Sequence, residues 1–449
     1  MPCHLTIIFL NPNIRYVLYR AQSMKQVPKF PYGLSTVAST IFLVVTLSAC
    51  SDRGNGKQPH ITAINKTSQT TNYRLEDISA QLGMHEHSSS WSAATSDFNN
   101  SGRPDIVVVR HDPYQTEGLY LNRGEYFEIL ELGYRADRHH CTPGDVNRDG
   151  REDIYCTVGA RKGAGQGNNN LFIQQEDGTF EDRAEAYGVQ DPFGRGRYAV
   201  FLNANGDSYP DLLVTNALER TDGENSINHL YINEDGKKLR SAEEYGADDA
   251  TGTRCLIAED VNADGFDDFL ICSGRLFLYL NSEGKHFVKS SEKIATKSHW
   301  RRAAFSDMNN DGILDLLVLN RSTLQIIVQV DGKFEQVLFE TNLIEGMDLA
   351  VGDVEGDGDN DVYIVQADCK KKPTDAKVSF LDQPDFLLVN EGDGSFHKVL
   401  MPLVKQECGH LVISLDYNSD GDSEFLVLNG SKKSKGPVQL IELQPPKGY

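Results

Sequence analysis

From residue 73 onward the chain alternates between short apolar runs and polar, glycine-containing stretches. Ile106-Val107-Val108-Val109, Leu212-Leu213-Val214, Leu316-Leu317-Val318 and Phe425-Leu426-Val427 are such runs, and each starts directly after an acidic segment. Runs this short, bounded by turn formers, predict strands rather than helices. A second run follows, as in Leu119-Tyr120-Leu121-Asn122, Leu171-Phe172-Ile173, Leu230-Tyr231-Ile232-Asn233, Leu278-Tyr279-Leu280-Asn281 and Phe386-Leu387-Leu388-Val389-Asn390. A glycine turn and an aromatic strand come next, as in Gly178-Thr179-Phe180, Gly332-Lys333-Phe334 and Gly394-Ser395-Phe396. With the strand that leads into the acidic segment, the unit has four antiparallel strands, the anatomy of a propeller blade. A solenoid is the alternative, although its repeats are usually shorter.

The acidic segment is itself a repeat, D-x-N-x-D-G-x-x-D. It reads Asp97, Asn99, Ser101, Gly102, Asp105; then Asp145, Asn147, Asp149, Gly150, Asp153; Asp260, Asn262, Asp264, Gly265, Asp268; and Asp307, Asn309, Asp311, Gly312, Asp315. Three copies vary. Asn203, Asn205, Asp207 and Asp211 have Ser208 where glycine is usual, Asp353, Glu355, Asp357, Gly358 and Asp361 carry an extra acid, and Asp416, Asn418, Asp420, Gly421 and Glu424 end in glutamate. The seven loops start 46 to 63 residues apart. The expected fold is therefore all-β, a seven-bladed β-propeller over residues 73–449 with the acidic loops between the first and second strands of the blades. The seventh unit has strands at 411–415, 425–428 and 438–443 and then stops. Residues 73–80 carry an outer-strand pattern without a blade of their own, so an N-terminal outer strand is expected to close the ring and cover the open edge.

Side-chain oxygens at loop positions 1, 3, 5 and 9 can converge on a hard cation when a glycine permits a sharp turn, and calcium takes such ligands. An EF-hand would place a glutamate at position 12 and helices on both sides. Position 12 of the second loop is Cys156, and the flanks are strands. The expectation is up to seven Ca²⁺, against the alternative of solvated acidic turns.

The loops with their flanking strands resemble the FG-GAP/VCBS repeats of integrin α-subunit propellers and of many bacterial surface proteins, over residues 73–449. The resemblance implies the propeller fold and calcium. It does not choose between binding and catalysis, because such families include adhesion modules, fungal sugar-binding propellers and the catalytic domains of some polysaccharide lyases.

Residues 1–49 read as a signal peptide with Met24 as the expected start. Leu47-Ser48-Ala49-Cys50 resembles a bacterial lipobox, which makes Cys50 the lipidated first residue and 50–72 a polar tether; a retained transmembrane helix is the alternative, although the apolar run is short for a span. An exported, membrane-anchored lipoprotein on the periplasmic face or cell surface follows from that resemblance. Six cysteines remain beyond Cys50, an even number suited to an oxidising compartment. Cys141 with Cys156 and Cys255 with Cys272 each flank an acidic loop, and Cys369 with Cys408 lie in connections on one face; six free thiols are the alternative.

The formal charge of -21 argues against a nucleic-acid partner. Residues 1–49 hold four basic and no acidic residues, so the mature chain carries -25, which seven Ca²⁺ would reduce to -11. Loops crowded with acids should destabilise the fold when metal-free.

Six residues before each loop stand Trp91, His139, Arg197, Arg254, Arg301, Met347 and His410. They begin the innermost strands and should ring the central channel on the face opposite the acidic loops. Three arginines and two histidines there point to a carboxylate or sulfate ligand, as in an acidic sugar; pairing with acids such as Asp348 is the alternative. The connections at 161–170, 217–228 and 367–385 emerge on the same face and are further candidates for recognition. Gly163-x-Gly165-x-Gly167 opens no helix and is a weak phosphate loop. Lys370-Lys371-Lys372 reads as a solvated turn. The favoured function is non-catalytic binding or cell adhesion toward a protein or acidic carbohydrate; the alternative is a calcium-dependent polysaccharide lyase or other glycan-active enzyme. No catalytic signature decides for the enzyme, and His139 with His140 is too little to assign an acid and a base.

Overall fold

In a computed structural model, the described residues are 8–9, 43–44, 74–111, 114–159, 167–217, 226–248, 252–291, 294, 297–366, 385–400, 409–431 and 434–444. The chain divides into two compact units, Met1–Thr70 and Thr71–Tyr449. In the first, the described residues are Ile8–Phe9 and Leu43–Val44, two short antiparallel strands. Cys50, the tether, Cys369, Cys408 and most of the three long connections lie outside the described residues.

The second unit is a seven-bladed β-propeller. Six blades are four-stranded antiparallel sheets whose strands follow chain order. Blade 1 runs from Ser90–Ser96 to Phe127–Arg135, blade 2 from Arg138–Gly144 to Phe180–Asp182, and blade 3 from Gly196–Leu202 to Lys238–Ser241. Blade 4 runs from Cys255–Glu259 to His286–Lys289, blade 5 from Arg302–Ser306 to Lys333–Asn342, and blade 6 from Gly346–Gly352 to Phe396–Leu400. Blade 7 combines Gly409–Leu415, Glu424–Ser431 and Ser434–Gln444 with Arg74–Asp77, which pairs antiparallel with the last of these through Leu75 and Leu443.

The apolar runs are the second strands. Asp105–Arg110, Asp153–Val158, Asp211–Asn216, Asp315–Leu319 and Asp361–Gln366 are buried at every residue, on both faces. Such burial follows from each blade being covered by a neighbour on either side, which accounts for continuous rather than alternating hydrophobicity. The outer strands face solvent on one side, as in the largely exposed Phe127–Arg135.

Each neighbouring pair of blades shares one apolar cluster. Val107, Leu119, Ile154 and Phe172 join blades 1 and 2, and Tyr363, Leu387, Val412 and Phe425 join blades 6 and 7. Ile106, Tyr120, Leu426 and Leu440 join blades 7 and 1 around Ile78 and Leu82 of the N-terminal segment. Two disulfides, Cys141–Cys156 and Cys255–Cys272, link directly opposed residues of the first and second strands of blades 2 and 4.

Candidate functional site

The acidic loops all occupy the turn from first to second strand. In the second loop, Asp145 accepts the N–H groups of Asp149 at 3.0 Å and Gly150 at 2.9 Å, wrapping the backbone around its carboxylate. The same pair of bonds recurs at Asp97, Asp260, Asp307, Asp353 and Asp416. In the third loop, which starts with asparagine, Asn203 accepts the N–H of Gly206 instead. The side chains at positions 3 and 5 touch in the pairs Asn147–Asp149, Asn205–Asp207, Asn309–Asp311 and Asn418–Asp420. Residues at position 4 of all seven loops, including Arg148, Ala263 and Ser419, have φ between 54° and 79°. A non-glycine residue there costs roughly 1–2 kcal/mol, and the surrounding bonds hold it in place.

Position 9 behaves differently, because its carboxylates are buried. Asp153 accepts the N–H groups of Val146 at 3.1 Å and Gln174 at 2.9 Å, tying the loop to the third strand. Desolvation pushes Asp153, Asp211, Asp268 and Asp361 up to about 7 and Glu424 up to about 8, with nearby loop acids such as Asp149 adding to the rise. A cluster of oxygen donors with proton affinity this high in the absence of a cation fits a divalent hard ion.

The opposite ends of the first strands converge as the six-residue offset requires. Trp91, His139, Arg197, Arg254 and Arg301 line one cavity of about 520 Å³. His410 lies beside it, with its ring 5.8 Å from that of Trp91, and Met347 touches Arg301 at 3.8 Å. Tyr198, Thr253 and Arg302 also line the cavity, each next in sequence to a predicted residue, as do His111 and Arg321. The last two were missed for a traceable reason: both stand six residues after loop position 9, at the exit of a second strand. Glycine or alanine occupies that register in the other blades, at 159, 217, 274, 367 and 430.

Charge in the cavity is unevenly compensated. Arg302 binds the buried Asp348 at 2.9 Å, and Arg321 meets Glu345 at 3.1 Å. Among the described residues, neither Arg197 nor Arg254 makes an ion pair. Burial, and then the neighbouring Arg195, lower Arg197 to about 10. A guanidinium so placed favours an anion beside it. His140 lies beside Tyr198 with ring centres 5.2 Å apart, and desolvation and then Arg302 depress it to about 4, which keeps it neutral.

The FG-GAP-like repeat family matches four stretches, residues 97–156, 145–214, 260–318 and 307–364. No curated protein matches the chain in sequence. Among solved structures, an Agrocybe aegerita lectin described as recognising non-reducing terminal N-acetylglucosamine superposes with a TM-score of 0.51 at 14% identity, covering 80% of this chain and 86% of the lectin. BBS1N in complex with ARL6DN gives 0.49 at 8% identity, over 82% of this chain and 94% of that one.

Proposed function

This chain is an FG-GAP-like repeat protein with a seven-bladed β-propeller, and from that premise we propose that it is a calcium-stabilised binding propeller for an acidic carbohydrate or a comparably anionic protein ligand. One observation carries the reading: in a protein of formal charge -21, Arg197, Arg254 and Arg301 converge with the large aromatic face of Trp91 in a single cavity. Arginine forks match carboxylate and sulfate, and an aromatic ring offers a platform for a sugar face. The lectin with the same fold supports a carbohydrate. The acidic loops on the far face hold Ca²⁺ in this reading and act structurally, and Arg74–Asp77 closes the ring by pairing with the seventh blade.

The two disulfides support an exported protein, since such bonds persist in oxidising compartments. Anchoring through a lipidated Cys50 would put the propeller at a membrane surface.

The test is a glycan array probed with the calcium-loaded protein. Uronate-bearing or sulfated glycans should bind, and changing Arg197, Arg254 and Arg301 together to alanine should abolish the signal. Binding that survives this triple change overturns the reading.

A second reading, a polysaccharide lyase, is favoured by the presence of His139 and Tyr198 beside the same arginines, since imidazole and phenol can exchange the protons of an elimination. New ultraviolet absorbance from an unsaturated sugar on incubation with uronate-containing polysaccharide would decide for it.

A further inference from the structure

Where blades 1 and 2 meet at the cavity wall, His111, Asp137 and His139 come together. We infer that these three side chains form a binding site for a divalent transition ion of the zinc class, distinct from the acidic loops on the opposite face. One donor atom from each lies within 4.8 Å of the other two. His111 follows the second strand of blade 1, Asp137 sits in the connection between the blades, and His139 belongs to the first strand of blade 2. The site thus depends on two blades being packed together.

His111 Nδ1 lies 2.6 Å from Asp137 Oδ1, with both side chains largely shielded from solvent. The two imidazole rings are 4.4 Å apart, and the indole of Trp91 lies 4.7 Å from His111 and 6.0 Å from His139. Apolar cover of this kind restricts water around a metal centre. The backbone also leaves room. A Cβ at Gly159 would lie 2.5 Å from His139 Nε2 and 3.3 Å from Asp137 Oδ2, and the Gly159 N–H donates to the Asp137 carbonyl at 2.9 Å.

The donor set decides the class of ion. Two imidazole nitrogens with one carboxylate suit Zn²⁺, Fe²⁺, Ni²⁺ or Co²⁺, whereas Ca²⁺ takes oxygen ligands. With ligand-to-metal distances of about 2.0–2.2 Å, small side-chain rotations bring three donors at this separation onto one ion. His111 and His139 both line the cavity, so the remaining coordination positions are open to an oxyanion held by the arginines.

The experiment titrates Co²⁺, then Zn²⁺, into untagged full-length protein in saturating Ca²⁺, which fills the oxygen loops beforehand. One equivalent of Co²⁺ should give a visible d–d spectrum of low coordination number, and one equivalent of Zn²⁺ should abolish it. H139Q and D137N, both at partly exposed positions, should each weaken Co²⁺ affinity by about 100-fold or more. Unchanged melting in Ca²⁺ shows that each variant is folded, and if H139Q melts lower, D137N decides alone. No Co²⁺ spectrum in the wild type, a spectrum unaltered in a folded variant, or an intense thiolate charge-transfer band overturns the site. None of these outcomes depends on which glycan, if any, the protein binds.

Discussion

At the scale of single residues, the repeat carries a device that the acidic motif does not advertise. The amide side chains of Asn122, Gln174, Asn233, Asn281, Gln329 and Asn390, at or next to the end of the third strands of blades 1 to 6, donate to a carbonyl at loop position 2 of the preceding blade. Asn233 is typical: it donates to Val146 O at 2.9 Å and to Pro210 O at 3.0 Å, accepts from Gly236, and is buried. Replacing it with leucine strands buried carbonyls, so Asn233→Leu should cost about 1–3 kcal/mol in denaturant unfolding, whereas Asn233→Gln should recover part of the loss. The recurring Asn at the end of Leu-Tyr-Leu-Asn and Leu-Tyr-Ile-Asn was visible in the chain. Its partner was not, because that carbonyl lies 68 to 295 residues away in sequence and becomes a neighbour only when blades stack.

The loop as an element sets the response to pH. A carboxyl whose folded-state value is raised to about 7, as at Asp153, Asp211, Asp268 and Asp361, takes up a proton more readily in the folded than in the unfolded chain. For the metal-free protein that contribution is fully present below about pH 4 and is lost as pH rises through 7, the opposite of an ordinary ion-paired acid. Calcium bound as proposed would take the place of those protons and would stabilise most where they are gone. Melting temperatures measured with Ca²⁺ and with chelator should therefore lie close together at pH 5 and separate widely by pH 8. A gap that is constant over this range would mean that the loops do not couple metal to protons, and no gap at any pH would argue against structural calcium.

For the whole molecule, the seventh blade is the exception. Its third strand has Leu443 where the other six have an amide, and Glu442 instead raises the already buried Glu424. The joint between blades 6 and 7 thus lacks the amide latch and is held by apolar packing of Leu75, Val412, Phe425 and Ile441 together with hydrogen bonds from the Val412 N–H to the Asp348 carboxylate and from the Ser423 N–H to Asp353 O. Arg74–Asp77 supplies part of that packing and pairs with Ser434–Gln444. Deleting the chain through Asp77 should lower the melting temperature and expose the outer edge of Ile441–Gln444, which would then be open to a second molecule. Light scattering should then report self-association. A truncated protein that stays monomeric with an unchanged melting temperature would mean the outer strand is dispensable.

Strand pattern and loop spacing depend on covalent neighbours, and both were legible in the chain. The D-x-N-x-D-G-x-x-D repeat counted the blades, the apolar runs marked the buried second strands, and the Cys141–Cys156 and Cys255–Cys272 separations placed two disulfides across hairpins. A fixed offset from the loop even brought Trp91, His139 and three arginines to one cavity, because every first strand runs into its loop in the same direction. Tertiary structure alone decided what those residues meet. Asp348 neutralises Arg302 and leaves Arg197 without an ion-pair partner among the described residues, and His111 arrives beside Asp137 and His139 from the neighbouring blade. Those relations follow from the angle at which blades pack around the axis, which is set by the side-chain volumes filling seven separate cores and is carried by no local stretch of sequence.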